Sequence, residues 1–107
     1  EHGGAIDVYN DPVQAVRDAD VVYTDSWMSY HIAQEDLAPR VIALMPFQVT
    51  ADLMSCAKPD VIFMNCLPAL RGYEQTGEVI DGPLSVVFDQ AENRLHLQKA
   101  VMIQLLS

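Results

Sequence analysis

Three side chains in this sequence carry chemistry that packing alone does not call for. Asp25 follows the apolar run VVYT, Cys66 follows VIFMN, and Arg94 follows SVVF by a few residues. An aspartate in such a place can bind an ammonium group, although capping or turn formation is its ordinary use. A thiol at a strand end can touch a ligand or take a proton, although a cysteine is more often a small buried hydrophobe. Arg94 is the most pointed of the three. A cation early in a helix opposes the helix dipole, and an anionic ligand held by the guanidinium and by free backbone N–H groups would reverse that disadvantage. Its ordinary alternative is an ion pair with Glu92 or Asp89.

These residues need a scaffold that brings strand ends together. Short apolar strands alternate with helical segments along the chain. That pattern reads as α/β, with a mainly parallel sheet flanked by helices in a Rossmann-like three-layer arrangement. The expected strands are 5–9, 21–24, 61–65 and 85–88. The expected helices are 12–19, a segment over 33–45 interrupted by Pro39, 51–57, a turn near 74–80, and 90–106. Asp11 before Pro12 is a helix start, and Thr50 can cap the next. Asp89 with Glu92 reads as a capping box for the last helix, whose final turns are apolar nearly all round and should be buried or docked. In open α/β sheets ligands lie outside the carboxyl ends of the strands, so Asp25, Cys66 and Arg94 should share one edge.

The chain has 107 residues and a net charge of −9, with 15 acidic against 6 basic side chains. One domain at most fits that length. The acidic balance argues against nucleic acid and anionic membranes as partners. No apolar run is long enough to span a bilayer, and two cysteines are too few for a disulfide scaffold. A reducing cytoplasm fits best. No pair of ligands has zinc-site spacing, and no GxGxxG, P-loop or GxSxG is present, so neither a metal nor a cofactor is expected. The opening EHGGAIDVYN lacks a methionine and enters apolar sequence almost at once, so the chain reads as a piece of a longer protein.

At the same residues the chain resembles the carbamoyltransferases, most closely the ornithine type. ADVVYTDSWMS (19–29) is similar to the family's T-D-x-W-x-S segment. FQVT (47–50) matches a short family segment. NCLPALRG (65–72) resembles H-C-L-P-A-x-R-G, and EVIDGPLSVVFDQAENRLHLQKA (78–100) matches nearly throughout. The resemblance implies that residues 1–107 are part of the amine-binding second domain of a two-domain enzyme, with the carbamoyl-phosphate domain outside this chain. Asp25 and Ser29 would bind the amino-acid end of ornithine, with Tyr30 in the same loop. Cys66, as the catalytic residue, and Leu67 would line the site shared with carbamoyl phosphate. Arg94 would hold carbamoyl phosphate. A cis Leu67–Pro68 bond would turn backbone carbonyls towards the substrate, with Arg71 and Gly72 shaping the next turn.

The implied reaction gives citrulline and phosphate, in arginine biosynthesis, in a cytoplasmic homotrimer. A nearby thiolate or carboxylate could take the amine's proton. The chain departs from the family at Asn65, where His is usual, and at Tyr30 and His31, where the ornithine enzymes have Met and Gly. Those departures point to putrescine or another amine, or to a non-catalytic binding homologue, as the second reading. Alone, the 107 residues should be inactive, because half the carbamoyl phosphate site would lie elsewhere, and marginally stable, because apolar sheet edge and face would lie open.

Overall fold

The computed structural model describes residues 3–28 and 32–107. Two strands form its sheet, β1 (Val21–Thr24) and β2 (Ile62–Asn65). They run parallel, with Val21 opposite Ile62 and Thr24 opposite Asn65. Successive side chains alternate between faces, and here the two faces differ sharply. Val22, Phe63 and Asn65 point into the core, and Phe63 is wholly buried. Val21, Tyr23, Ile62 and Met64 point to the other face, where Val21 and Tyr23 remain half-exposed.

The core face is covered by short elements with readable starts. Helix α1 (Pro12–Val16) begins where Asp11 accepts a hydrogen bond from the Val13 N–H at 2.9 Å, and it buries Val16. It stops short of the expected residue 19 because Asp18 turns into the left-handed region at φ 58°. Helix α2 (Leu37–Leu44) follows a 3₁₀ turn over Gln34–Asp36. Pro39 does not interrupt it. The helix starts late enough to put Pro39 in its first turn, where a missing N–H costs no intrahelical bond. Helix α3 (Ala51–Met54) is capped by Thr50, whose hydroxyl accepts from the Leu53 N–H at 3.1 Å. Leu53 and Met54 of α3, with Val79 and Ile80 of α4 (Gly77–Ile80), close over Phe63 and Val49.

Two expected strands do not form, the first for want of a neighbour and the second because a helix starts within it. Residues 5–9 alternate like a strand, yet they are extended coil with Ile6 and Val8 almost fully exposed. They have nothing to pair with among the described residues. SVVF makes only one parallel bridge, Ser85 to Phe63, with the Phe63 N–H donating to Leu84 O at 2.8 Å and Val86 N–H to Phe63 O at 3.0 Å. Helix α5 (Val87–Leu106) then begins three residues earlier than Asp89 and Glu92 suggest. Its N-cap is Val86, with no side-chain hydrogen bond, so the capping box does not form. Nor is α5 docked along its length. Val87 is its one buried residue, and Leu97, Ile103, Leu105 and Leu106 stand in solvent.

The chain has a surface of 8067 Å², to which the extended residues 3–10, the open sheet face and the projecting helix all contribute. A self-contained monomer of this mass exposes about 6,000 Å². The radius of gyration is 16.2 Å, against roughly 13 Å for a compact chain of this length.

Candidate functional site

The parallel register sets Asp25 and Cys66 side by side, because each is the residue after a paired strand end. The Cys66 thiol donates to Asp25 Oδ1 at 3.0 Å, and the Ser26 N–H donates to the same oxygen at 2.7 Å. Two donors on one oxygen leave Oδ2 available to a ligand cation. The pair is electrostatically polarised. The hydrogen bond from Cys66, then that from Ser26, holds the Asp25 carboxyl below the usual carboxylate range. The Asp25 carboxylate, helped by partial burial, pushes the Cys66 thiol above the usual thiol range. Cys66 is therefore a thiol here, and the carboxylate is the basic member of the pair.

The loop after β2 is tightly specified. Asn65 Oδ1 accepts from the Leu67 N–H at 2.8 Å, which supports Leu67 at φ 49°. A leucine in the left-handed region costs about 1–2 kcal/mol, and such outliers gather at ligand sites. The Leu67–Pro68 peptide is cis. Arg71 grips Asp81 with two hydrogen bonds, Nε to Oδ2 at 2.7 Å and Nη2 to Oδ1 at 2.6 Å. Gly72 takes φ 84°, a conformation open to glycine without strain. Gln48 Nε2 donates to the carbonyls of Gly72 and Tyr73 at 2.8 and 2.9 Å.

Arg94 comes to the same place from α5. A cavity of about 730 Å³ lies between α5 and the open sheet face. Tyr23, Met64, Cys66, Gln90, Asn93 and Arg94 are among its lining residues. No carboxylate lines it, in a chain with 15 of them. Among the described residues Arg94 forms no ion pair, and Glu92 instead meets His96 at 3.4 Å. The cavity thus holds a guanidinium with no ion pair among the described residues and a thiol in its lining, which suits it to an anion. Because α5 starts at Val87, Arg94 lies roughly 10 Å along the helix from its N-terminus. The cavity, more than the helix dipole, defines its role.

A second cleft, of about 450 Å³, lies at the far end of β2 among Met54, Val61, Val79 and Pro83. Its cation, Lys58, is engaged with Asp20 at 2.6 Å.

Asp25, Cys66, Leu67 and Arg94 are therefore brought to one edge. Ser29 and Tyr30, with His31, lie outside the described residues. Asn65 is 1% exposed and faces the core, where its Nδ2 donates to Gln75 Oε1 at 3.1 Å. Its difference from the family's His sits behind the cavity. Trp27 is a packing residue, 6% exposed. Two residues at the site carry no local sequence signal. Gln90 accepts from the Asn65 N–H at 3.2 Å and donates to the Tyr23 hydroxyl at 3.1 Å, tying α5 to both strands. Glu74 is wholly buried and accepts from two loops, the Trp27 N–H at 2.8 Å and the Leu70 N–H at 3.0 Å. Each reaches its partners across the sequence, so no short motif reveals it.

Comparison with known proteins gives the same reading. The family model for the aspartate/ornithine carbamoyltransferase Asp/Orn binding domain matches residues 1–105. The ornithine carbamoyltransferase of Thermococcus kodakarensis is 62% identical over 102 residues, covering 95% of this chain and 32% of that protein. Among solved structures, the ornithine carbamoyltransferase of Pyrococcus furiosus superposes with a TM-score of 0.78 at 60% identity, over 86% of this chain and 29% of that one. Ornithine transcarbamoylase from Giardia lamblia gives 0.83 at 49% identity, over 94% and 30%. The chain spans about a third of the length of the curated relatives it matches. With the parallel sheet, the cis Leu67–Pro68 turn and the Asp25–Cys66 edge all in place, the chain belongs to the aspartate/ornithine carbamoyltransferase family.

Proposed function

We propose that the protein carrying this chain transfers a carbamoyl group from carbamoyl phosphate to the side-chain amine of ornithine, and that residues 1–107 supply the amine-binding half of its site. The observation that carries this is the carboxylate-free cavity holding Cys66 and Arg94, joined through the Cys66 thiol to Asp25. One edge offers an anion its guanidinium and an ammonium its carboxylate. Those are the two charges that carbamoyl phosphate and ornithine bring.

In this reading the amine nitrogen attacks the carbonyl carbon, the N–C bond forms and the C–O bond to phosphate breaks. Arg94 stabilises the charge gathering on the leaving phosphate. Asp25, with Ser29 and Tyr30 in the same loop, binds the acceptor. The attacking nitrogen must shed a proton. An ammonium held at Asp25 Oδ2 offsets the negative charge that keeps Cys66 protonated, so acceptor binding makes the thiol more acidic. Thiol and carboxylate then act as one proton-handling unit. Leu67 shapes the seam between the two substrates. The carbamoyl-phosphate domain lies elsewhere in the whole protein, which works as a cytoplasmic homotrimer in arginine biosynthesis.

The identity of the acceptor is tested by assaying the whole protein with carbamoyl phosphate and ornithine, putrescine, lysine or N-acetylornithine in parallel. Turnover with ornithine above the rest is expected. Preference for putrescine would assign the Tyr30-His31 departure to acceptor choice. Silence with every amine in a folded protein would favour a non-catalytic binding homologue.

A further inference from the structure

The Asp25–Cys66 contact needs two loops held at a fixed separation, yet both residues are exposed and sit on irregular backbone. At their base the loops are fixed by the last pair of the parallel ladder, Thr24 opposite Asn65. Beyond it, among the described residues, Glu74 links them. One oxygen of its carboxylate accepts from the Trp27 N–H, two residues past Asp25. The other accepts from the Leu70 N–H, four residues past Cys66. The side chain has no solvent exposure.

Its own backbone is anchored as well. Glu74 O accepts from the Val49 N–H at 2.9 Å, and the Thr76 N–H donates to Val49 O at 3.0 Å. The neighbouring Gln75, equally buried, donates to Leu70 O at 3.2 Å and accepts from Asn65. The Trp27 segment is further held by Arg40 Nε on Trp27 O at 2.8 Å, but that bond does not reach the Cys66 loop.

A carboxylate presents two acceptors, whereas its amide presents one acceptor and one donor pair. Two backbone N–H groups facing one buried side chain are satisfied by Glu and not by Gln. We infer that Glu74 is a positioning residue, a buried clamp that sets the spacing of the Asp25 and Cys66 loops and so the geometry in which acceptor and thiol meet. The inference deepens the carbamoyl-transfer reading and rests on it only for its kinetic consequence.

The test uses the whole protein with Glu74→Gln. Either amide orientation turns a donor towards one backbone N–H and releases one loop. Alkylation of Cys66, followed by peptide mass spectrometry with Cys56 as the internal comparison, should accelerate about tenfold, the effect of one lost hydrogen bond, while Cys56 is unchanged. The KM for the acceptor should rise by a similar factor with a smaller change in kcat, because the acceptor spans both loops. An unchanged Cys66 rate in a folded variant would overturn the clamp. Amide hydrogen exchange of the unaltered protein is a second test that holds whether or not the variant folds. Protected amides at Trp27 and Leu70 are expected, and exchange at open-loop rates would overturn the proposal. Faster Cys66 alkylation in a protein that transfers no carbamoyl group would sustain the clamp and defeat the carbamoyl-transfer reading.

Discussion

Cys66 and Asp25 share a proton unevenly, and that has a direct chemical consequence. The carboxylate pushes the thiol above its ordinary range and is itself held below its own. Cys66 should therefore alkylate slowly at neutral pH, with a rate that climbs as pH rises past the usual thiol range. Asp25→Asn removes the charge and should speed Cys66 alkylation severalfold at fixed pH, as a falling thiol pKa requires. The linkage runs the other way for stability. A depressed carboxylate stabilises the fold above its unfolded value and loses that contribution as pH falls through the folded one. Asp25 is exposed, so the effect on unfolding is small, and reactivity is the sensitive readout. Arg94→Ala should cut kcat/KM for carbamoyl phosphate by on the order of 10²–10³, the usual loss when one charge-stabilising donor is removed. Asp25, Cys66 and Arg94 could be picked as candidates from sequence because each follows an apolar strand-like run. Glu74 and Gln90 could not, because their partners lie 25 to 67 residues away, apart from Leu70 near Glu74.

Elements were legible where local chemistry decides them. The caps at Asp11 and Thr50 needed only neighbouring residues, and the apolar runs VVYT and VIFMN became strands because each found the other. Misreadings arose where a partner decides. Residues 5–9 have a strand's alternation but no ladder, and Val86 turns into a helix before Asp89 can cap it. β2 is the element on which the site rests, since it carries the core residue Phe63 and leads directly into Cys66. Phe63→Ala should cost about 3–5 kcal/mol in denaturant unfolding of the whole protein and lower activity through loss of folded protein. The Arg71–Asp81 pair is different. Both side chains are half-exposed, so Arg71→Ala should cost no more than about 1 kcal/mol. Gly82 lies where a Cβ would come within 2.5 Å of the Glu78 carbonyl oxygen. Gly82→Ala should therefore destabilise the turn after α4 by about 1–3 kcal/mol, measured as a fall in Tm.

At the level of the whole molecule, the chain shows about a third more surface than a self-contained monomer of its mass. Exposed apolar side chains lie on the extended segment at Ile6 and Val8, on the open sheet face at Val21 and Tyr23, and along α5 at Leu97, Ile103, Leu105 and Leu106. Apolar surface of that extent is normally covered. The isolated 107 residues should melt broadly and bind a hydrophobic dye, and a sharp cooperative transition with no dye binding would show that they are self-sufficient. The cavity lined by Cys66 and Arg94 opens between this sheet face and a helix that has little to rest on.

Citrulline formation by the whole protein, measured with separate titrations of ornithine and carbamoyl phosphate in the unaltered protein, Asp25→Ala and Arg94→Ala, reaches the carbamoyl-transfer reading most directly. Robust turnover is expected in the unaltered protein. Asp25→Ala should chiefly raise the KM for ornithine, and Arg94→Ala should chiefly impair use of carbamoyl phosphate. Absence of citrulline from the folded, unaltered protein, or losses in the two variants that ignore which substrate is varied, would contradict a site that binds an amine at Asp25 and an acyl phosphate at Arg94.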